Sequence, residues 1–152
     1  MLCSEDGGKE AGTMNSAAPD ALTIPAKREN LDAVQSFVAE RVEGRCSVKT
    51  RLQIDLAVEE IFVNIASYAY APGEGMAEVS AAVSDAPARL TVTFRDSGVP
   101  YDPTAKQDPD VSAMAQDRQI GGLGIFLTKR VMDEVRYEYR GGQNVLTMIK
   151  TL

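Results

Sequence analysis

The chain has 152 residues, 44% hydrophobic and 25% charged, with a formal net charge of −6 and no histidine. Such a balance fits one globular domain with one core, and its acidity makes nucleic acid and anionic lipid poor partners. The missing histidine excludes Ser-His-Asp and Cys-His hydrolysis, histidine-ligated metals and a phosphohistidine relay within the polypeptide, so any proton transfer falls to Asp, Glu, Lys or Tyr.

Residues 1–20 are rich in Gly, Ala, Ser, Glu and Asp without periodicity, and are expected to form a disordered tail, with Met14 an alternative start. They carry neither the basic region nor the apolar stretch of a secretory signal, and no apolar run approaches the length of a membrane span. Two cysteines, Cys3 and Cys46, cannot build a disulfide framework, so a reduced, cytoplasmic setting is expected.

Residues 21–152 are expected to form the domain. Ala21 to Pro25 reads as a short strand ended by proline. Leu31, Val34, Phe37, Val38 and Val42 recur at helical spacing until Gly44. Ser47 is suited to cap a longer helix carrying Val48, Leu52, Leu56, Ile61, Phe62 and Ile65, running to about Tyr70. A turn at residues 72–75 leads into strict alternation: Ala77, Val79, Ala81 and Val83 on one face, then Leu90, Val92 and Phe94 after a second turn at residues 85–87.

Residues 101–120 show no period, and so long a structureless stretch in a small domain is usually functional or disordered. Residues 121–133 read as a helix, Val135, Tyr137 and Tyr139 as a strand, Gly141-Gly142 as a tight hairpin turn, and residues 144–150 as the last strand. The order implies an α+β fold: a two-layer sandwich with helices on one face of a mixed, mainly antiparallel sheet.

The chemistry concentrates in two separated segments. Glu60 and Asn64 lie one helical turn apart in a stretch that is apolar on most sides, so they share a face beside buried surface. An unpartnered buried carboxylate is costly, and a polar ligand would relieve that cost. Asn64 offers a neutral oxygen suited to Mg²⁺, and Glu60 is placed to take a proton from an attacking hydroxyl.

Asp96-Ser97-Gly98 closes a strand. As a bare motif it is an ordinary turn; as a site, Asp96 accepts from the amino group of adenine and Gly98 lets the backbone approach the base. Gly121-Gly122-Leu123-Gly124 opens a helix whose N-terminal amides would suit a phosphate, with the preceding loop as a lid. No Gly-x-x-x-x-Gly-Lys-Ser/Thr occurs, which excludes the common P-loop.

In order, Glu-x-x-x-Asn, Asp-x-Gly and Gly-x-Gly resemble the ATP-binding superfamily of DNA gyrase, histidine kinases and mismatch-repair ATPases. The segments LAVEEIFVNIASYAY, FRDSGVPYDP and GGLGIFLTKRVMDEVRYEYRGGQNVLTMIK are most similar to its small bacterial branch, the anti-sigma factor serine/threonine kinases. The likeness covers residues 21–152.

It implies ATP and Mg²⁺ as cofactors, Glu60 as catalytic base, Asn64 as magnesium ligand, and Asp96 with Gly98 at the adenine. It places Gly121, Gly122, Leu123 and Gly124 at the phosphates and Asn144 where relatives use a threonine beside the base. It also implies an anti-sigma factor antagonist and a sigma factor as partners, and a homodimer. Three places depart from the family: Tyr68 stands for a frequent histidine, Asn144 for the threonine, and Ile120, with Arg118 nearby, for an arginine before the lid glycines. The expected function is an ATP-dependent protein serine/threonine kinase. The alternatives are a non-catalytic module switched by ATP and the detached catalytic domain of a histidine-kinase relay.

Overall fold

Each strand of the domain carries one apolar face, and a single helical layer covers it. A computed structural model describes residues 20–105 and 123–152. In chain order it contains β1 (Asp20–Pro25), a 3₁₀ turn at Arg28–Asn30, α1 (Leu31–Val42), α2 (Val48–Asn64) and a π-helical turn at Ile65–Ala69. There follow β2 (Met76–Ser84), β3 (Arg89–Asp96), a 3₁₀ turn at Pro103–Ala105, α3 (Leu123–Val131), β4 (Glu134–Arg140) and β5 (Gln143–Thr151). The expected tail and most of the expected lid loop lie outside the described residues, although Asp20 already belongs to β1.

The sheet has five strands in the order β1-β2-β3-β5-β4. Every described pairing is antiparallel, so the sheet is not mixed. The two-layer sandwich is as the sequence implies. Alternation in β2 and β3 turns Ala77, Val79, Ala81, Leu90, Val92 and Phe94 into the core, all at most 2% exposed. They pack against Val34, Val38 and Val42 of α1 and Ile54, Val58, Ile61 and Phe62 of α2. The β4–β5 hairpin turns at Gly141 and Gly142, whose φ values of 63° and 79° lie in the left-handed region that a two-residue turn requires.

The helices differ from their sequence outline in three places. The buried stripe of α2 is Ile54, Ala57, Val58, Ile61 and Phe62, whereas Val48 and Leu52 are 77% and 62% exposed. Regular α-geometry stops at Asn64, and the turn that follows is π-helical. α3 ends at Val131, short of Asp133, which is tied to β5: its N–H donates to the Ile149 carbonyl and its carboxylate accepts from the Thr151 N–H.

Ser47 caps α2 as its type and position imply, its Oγ accepting from the Thr50 N–H at 3.1 Å. Ser47→Ala leaves that amide without its side-chain partner. It is expected to destabilise the domain by about 1 kcal/mol, read as a lower urea midpoint at unchanged slope.

Candidate functional site

Between the end of α2 and the end of the sheet lies a cavity of about 490 Å³. That volume is within the range of small-molecule sites. One wall is Glu60, Ile61, Asn64, Ile65, Tyr68 and Ala69; the other is Phe94, Asp96, Asn144, Leu146 and Tyr137. Val99, Pro100, Tyr101 and Pro103 from the loop after β3, and Ile125 of α3, complete it. The lining is largely apolar with a few polar groups at fixed places, as ligand sites usually are.

The helical wall owes its polar groups to spacing. Glu60 and Asn64 stand four residues apart on α2 while Ile61 and Phe62 are sunk in the core. Both polar side chains are half-buried, and neither has a hydrogen-bond partner among the described residues. Burial raises the pKa of the Glu60 carboxyl above its ordinary 4.5, and the adjacent Glu59 carboxylate adds to the rise. Gly124 comes against it from α3: a Cβ there would lie 1.7 Å from the Glu60 carboxyl carbon. The missing side chain at Gly124 therefore makes room for Glu60, a constraint separate from the phosphate contact that the sequence suggests.

The sheet wall follows from parity. Leu90, Val92 and Phe94 point inward, and Asp96 is the next residue of the same face, 5% exposed at the strand end. On β5, Asn144 opens the inward series of Leu146 and Met148, and the register sets it opposite Asp96. The Asn144 amide nitrogen donates to Asp96 Oδ1 at 2.9 Å and to the Val99 carbonyl at 3.0 Å. Its oxygen accepts from the Tyr101 N–H at 3.1 Å and from the Tyr137 hydroxyl. Asn144, expected at the ligand, lines the cavity with its carboxamide committed to protein partners. Asp96 Oδ1 also accepts from the Gly98 N–H at 2.9 Å, and its Oδ2 has no partner among the described residues.

The two walls are bolted together. The Val99 N–H donates to the Ala69 carbonyl at 2.9 Å. The Tyr70 hydroxyl donates to the Met76 carbonyl at 2.6 Å and accepts from the Ser97 N–H at 2.8 Å. A Cβ at Gly98 would sit 2.2 Å from the Ala69 carbonyl oxygen, so the glycine is required by the π-helical turn behind it. Gly98 is expected from the sequence to admit a base; its close neighbour here is the protein's own backbone.

Of the residues singled out from the sequence, the structure brings Glu60, Asn64, Asp96 and Asn144 to one cavity, with Gly98 and Gly124 supporting it. Leu123 begins α3, 40% exposed, and is not part of the lining. Gly121, Gly122, Arg118 and Ile120 lie outside the described residues. Tyr68 lines the mouth at 67% exposure. Tyr101 and Tyr137 join the site with no sequence motif to mark them. The hairpin at Gly141-Gly142 fixes the β4–β5 register, and from it Tyr137 falls beside the Asn144 end of β5.

Among the described residues no group of three or more Cys, Asp or Glu side chains is placed to hold a metal ion. Asn64 presents a single neutral side-chain oxygen to the cavity, a donor of the type that suits Mg²⁺. No helix among the described residues is long and apolar enough to cross a membrane.

Residues 24–150 match the histidine kinase-like ATPase domain. The chain belongs to that family. It is 31% identical over 107 residues to the serine/threonine-protein kinase BtrW of Bordetella bronchiseptica, covering 70% of this chain and 75% of that one. It is 33% identical over 132 residues to the serine-protein kinase RsbW of Listeria monocytogenes, covering 82% of each. Its fold is similar to the histidine kinase domain of the blue-light activated histidine kinase EL346 from Erythrobacter litoralis, with a TM-score of 0.54 and 19% identity. That match covers 85% of this chain and 62% of the other, and it shows the shared architecture. An ATP-binding, kinase-like role follows from this membership.

Two outcomes test the site as built. The folded state holds the Glu60 proton more tightly than the unfolded chain does, so its burden on stability is absent below the ordinary value of 4.5 and appears as pH rises through the folded value. Glu60→Gln is therefore expected to melt above wild type at pH 7, with the difference closing below about pH 4. Equal melting curves at both pH values would remove the buried-carboxylate account. Gly98→Ala must push apart the turn and Ala69, at an expected cost of about 1–3 kcal/mol in urea unfolding.

Proposed function

We propose that the chain is an anti-sigma-type protein serine/threonine kinase. It would bind ATP with Mg²⁺ in this cavity and phosphorylate a small antagonist protein, with a sigma factor as the partner it restrains. The observation that carries the reading is the pair Glu60 and Asn64, two cavity-lining polar side chains without partners among the described residues. Across from them stands Asp96 with one oxygen engaged and one open. The relatives named serine-protein and serine/threonine-protein kinases support the same reading.

In this scheme Asp96 Oδ2 accepts from the exocyclic amine of adenine, and Phe94, Ile65 and Leu146 supply apolar surface around the base. Asn64 would hold Mg²⁺, which would supply neutralisation of phosphate charge. Glu60 takes the proton of the target hydroxyl as its oxygen bonds to the γ-phosphorus and the bond to the β–γ bridging oxygen breaks, releasing ADP. A carboxyl whose proton affinity is raised by burial is a stronger base than an exposed one.

One observation favours a second reading. Some kinases of the family that the chain resembles carry an arginine just before the lid glycines, where this chain has Ile120 with Arg118 nearby, and an arginine displaced from the γ-phosphate would stabilise less of the charge in transfer. The chain would then be an ATP-dependent switch on its partner.

The two readings separate on one experiment: incubation with ATP, Mg²⁺ and a small antagonist protein encoded beside this chain's gene, followed by intact-mass spectrometry. The kinase reading expects a single added phosphoryl group with wild type. With Glu60→Gln the rate should fall about 10²-fold or more while ATP affinity stays within a few fold. An unmodified partner under conditions of demonstrated ATP binding overturns it in favour of the switch. Absence of ATP binding overturns both.

A further inference from the structure

Tyr137 sits on the edge strand β4, and its hydroxyl reaches inward to the Asn144 carboxamide oxygen. A carboxamide has an accepting end and a donating end, and its usefulness depends on which way it faces. Here the oxygen receives two donors, the Tyr137 hydroxyl and the Tyr101 N–H, while the nitrogen faces three acceptors, Asp96 Oδ1, the Val99 carbonyl and, at 3.5 Å, the Gly98 carbonyl. Turned over, the group would set donors against donors and its oxygen against a carboxylate.

Donation into the oxygen also polarises the amide and strengthens the N–H that faces Asp96. Burial raises the Tyr137 pKa above the ordinary tyrosine value, against the pull of the Tyr101 N–H and with help from the Asp102 and Asp96 carboxylates. The hydroxyl therefore keeps its proton to donate.

We propose that Tyr137 is a positioning residue for base selectivity: through Asn144 it holds Asp96 by one oxygen, so that the other meets a ligand amine at a fixed place. The inference rests on the reading of the cavity as an adenine-nucleotide site and names the residue that sharpens its choice of base. The Tyr137 ring lines the cavity, but its hydroxyl touches Asn144 and, through it, Asp96 and the loop of residues 98–101, so the hydroxyl acts on the ligand at second hand. Losing its hydroxyl leaves Asn144 Oδ1 with the Tyr101 N–H alone. Asp96 then loses definition, while the apolar walls that hold the ring are unchanged.

The test compares ATP with purine riboside triphosphate, which lacks the exocyclic amine, by calorimetry on wild type and Tyr137→Phe. Wild type is expected to favour ATP by about tenfold or more, the value of a charged hydrogen bond. In Tyr137→Phe that preference is expected to fall at least threefold, with the affinity for the amine-free nucleotide within twofold of wild type. General loosening of the fold would weaken both ligands together.

A preference that falls by less than threefold, or a loss shared equally by both nucleotides, overturns the inference and leaves the nucleotide site standing. A wild type that binds neither nucleotide, or binds both alike, overturns the inference together with the reading beneath it. Should the variant not fold, the wild type still decides. Its Asn144 side-chain amide protons are expected to exchange with water more slowly than those of a free carboxamide, and free exchange overturns the proposal.

Discussion

The seam between the π-helical turn and the Asp96-Ser97-Gly98 turn is the contact on which the site depends. α2 carries Glu60 and Asn64; β3 carries Asp96. Nothing in the α-helix or the strand alone sets the distance between them. The seam sets it, through the Val99 N–H on the Ala69 carbonyl, the Tyr70 hydroxyl between Met76 and Ser97, and Gly98 pressed on Ala69. A π-helical turn widens the backbone by one residue and redirects its carbonyls, and such turns gather at functional sites. Here the redirected Ala69 carbonyl is the one that the turn after β3 needs.

The division of polar groups in the cavity separates structure from function. Asn144 has its oxygen and nitrogen engaged by Asp96, Val99, Tyr101 and Tyr137, which makes it part of the frame. Asp96 is half engaged. Glu60 and Asn64 have no protein partner among the described residues. These open groups are half-buried at the cavity wall and keep their hydrogen-bonding capacity free toward it. The raised pKa of Glu60 has its cause here: partial burial, with the Glu59 carboxylate beside it, leaves the charged form poorly solvated, which is a burden on folding.

Glycine plays two roles that a sequence motif does not distinguish. Gly141 and Gly142 are needed for backbone conformation, at positive φ in a two-residue turn. Gly98 and Gly124 are needed for space, one against Ala69 and the other against Glu60. In both of the latter the atom that would collide belongs to the protein. Substitution there would act on the geometry of Asp96 or Glu60 before it reached any ligand.

Much of this was legible from the chain. Period-two alternation placed Leu90, Val92 and Phe94 inward, and the same parity carries Asp96 inward at the strand end. Helical spacing put Glu60 and Asn64 on one face, Ser47 capped its helix, and Gly141-Gly142 fixed the last hairpin. These are local properties, decided by backbone periods, side-chain hydrogen bonds across a few residues and allowed φ values. Tertiary structure decided that β5 lies beside β3, which sets Asn144 against Asp96 across 48 residues. It also decided that Tyr137 donates to Asn144, that Gly98 is reserved for Ala69, and that Val48 and Leu52 stay outside the core. Strand neighbours far apart in sequence are chosen by burial of the whole apolar face, and until they are chosen no local pattern says which polar atoms are already engaged and which remain for a ligand.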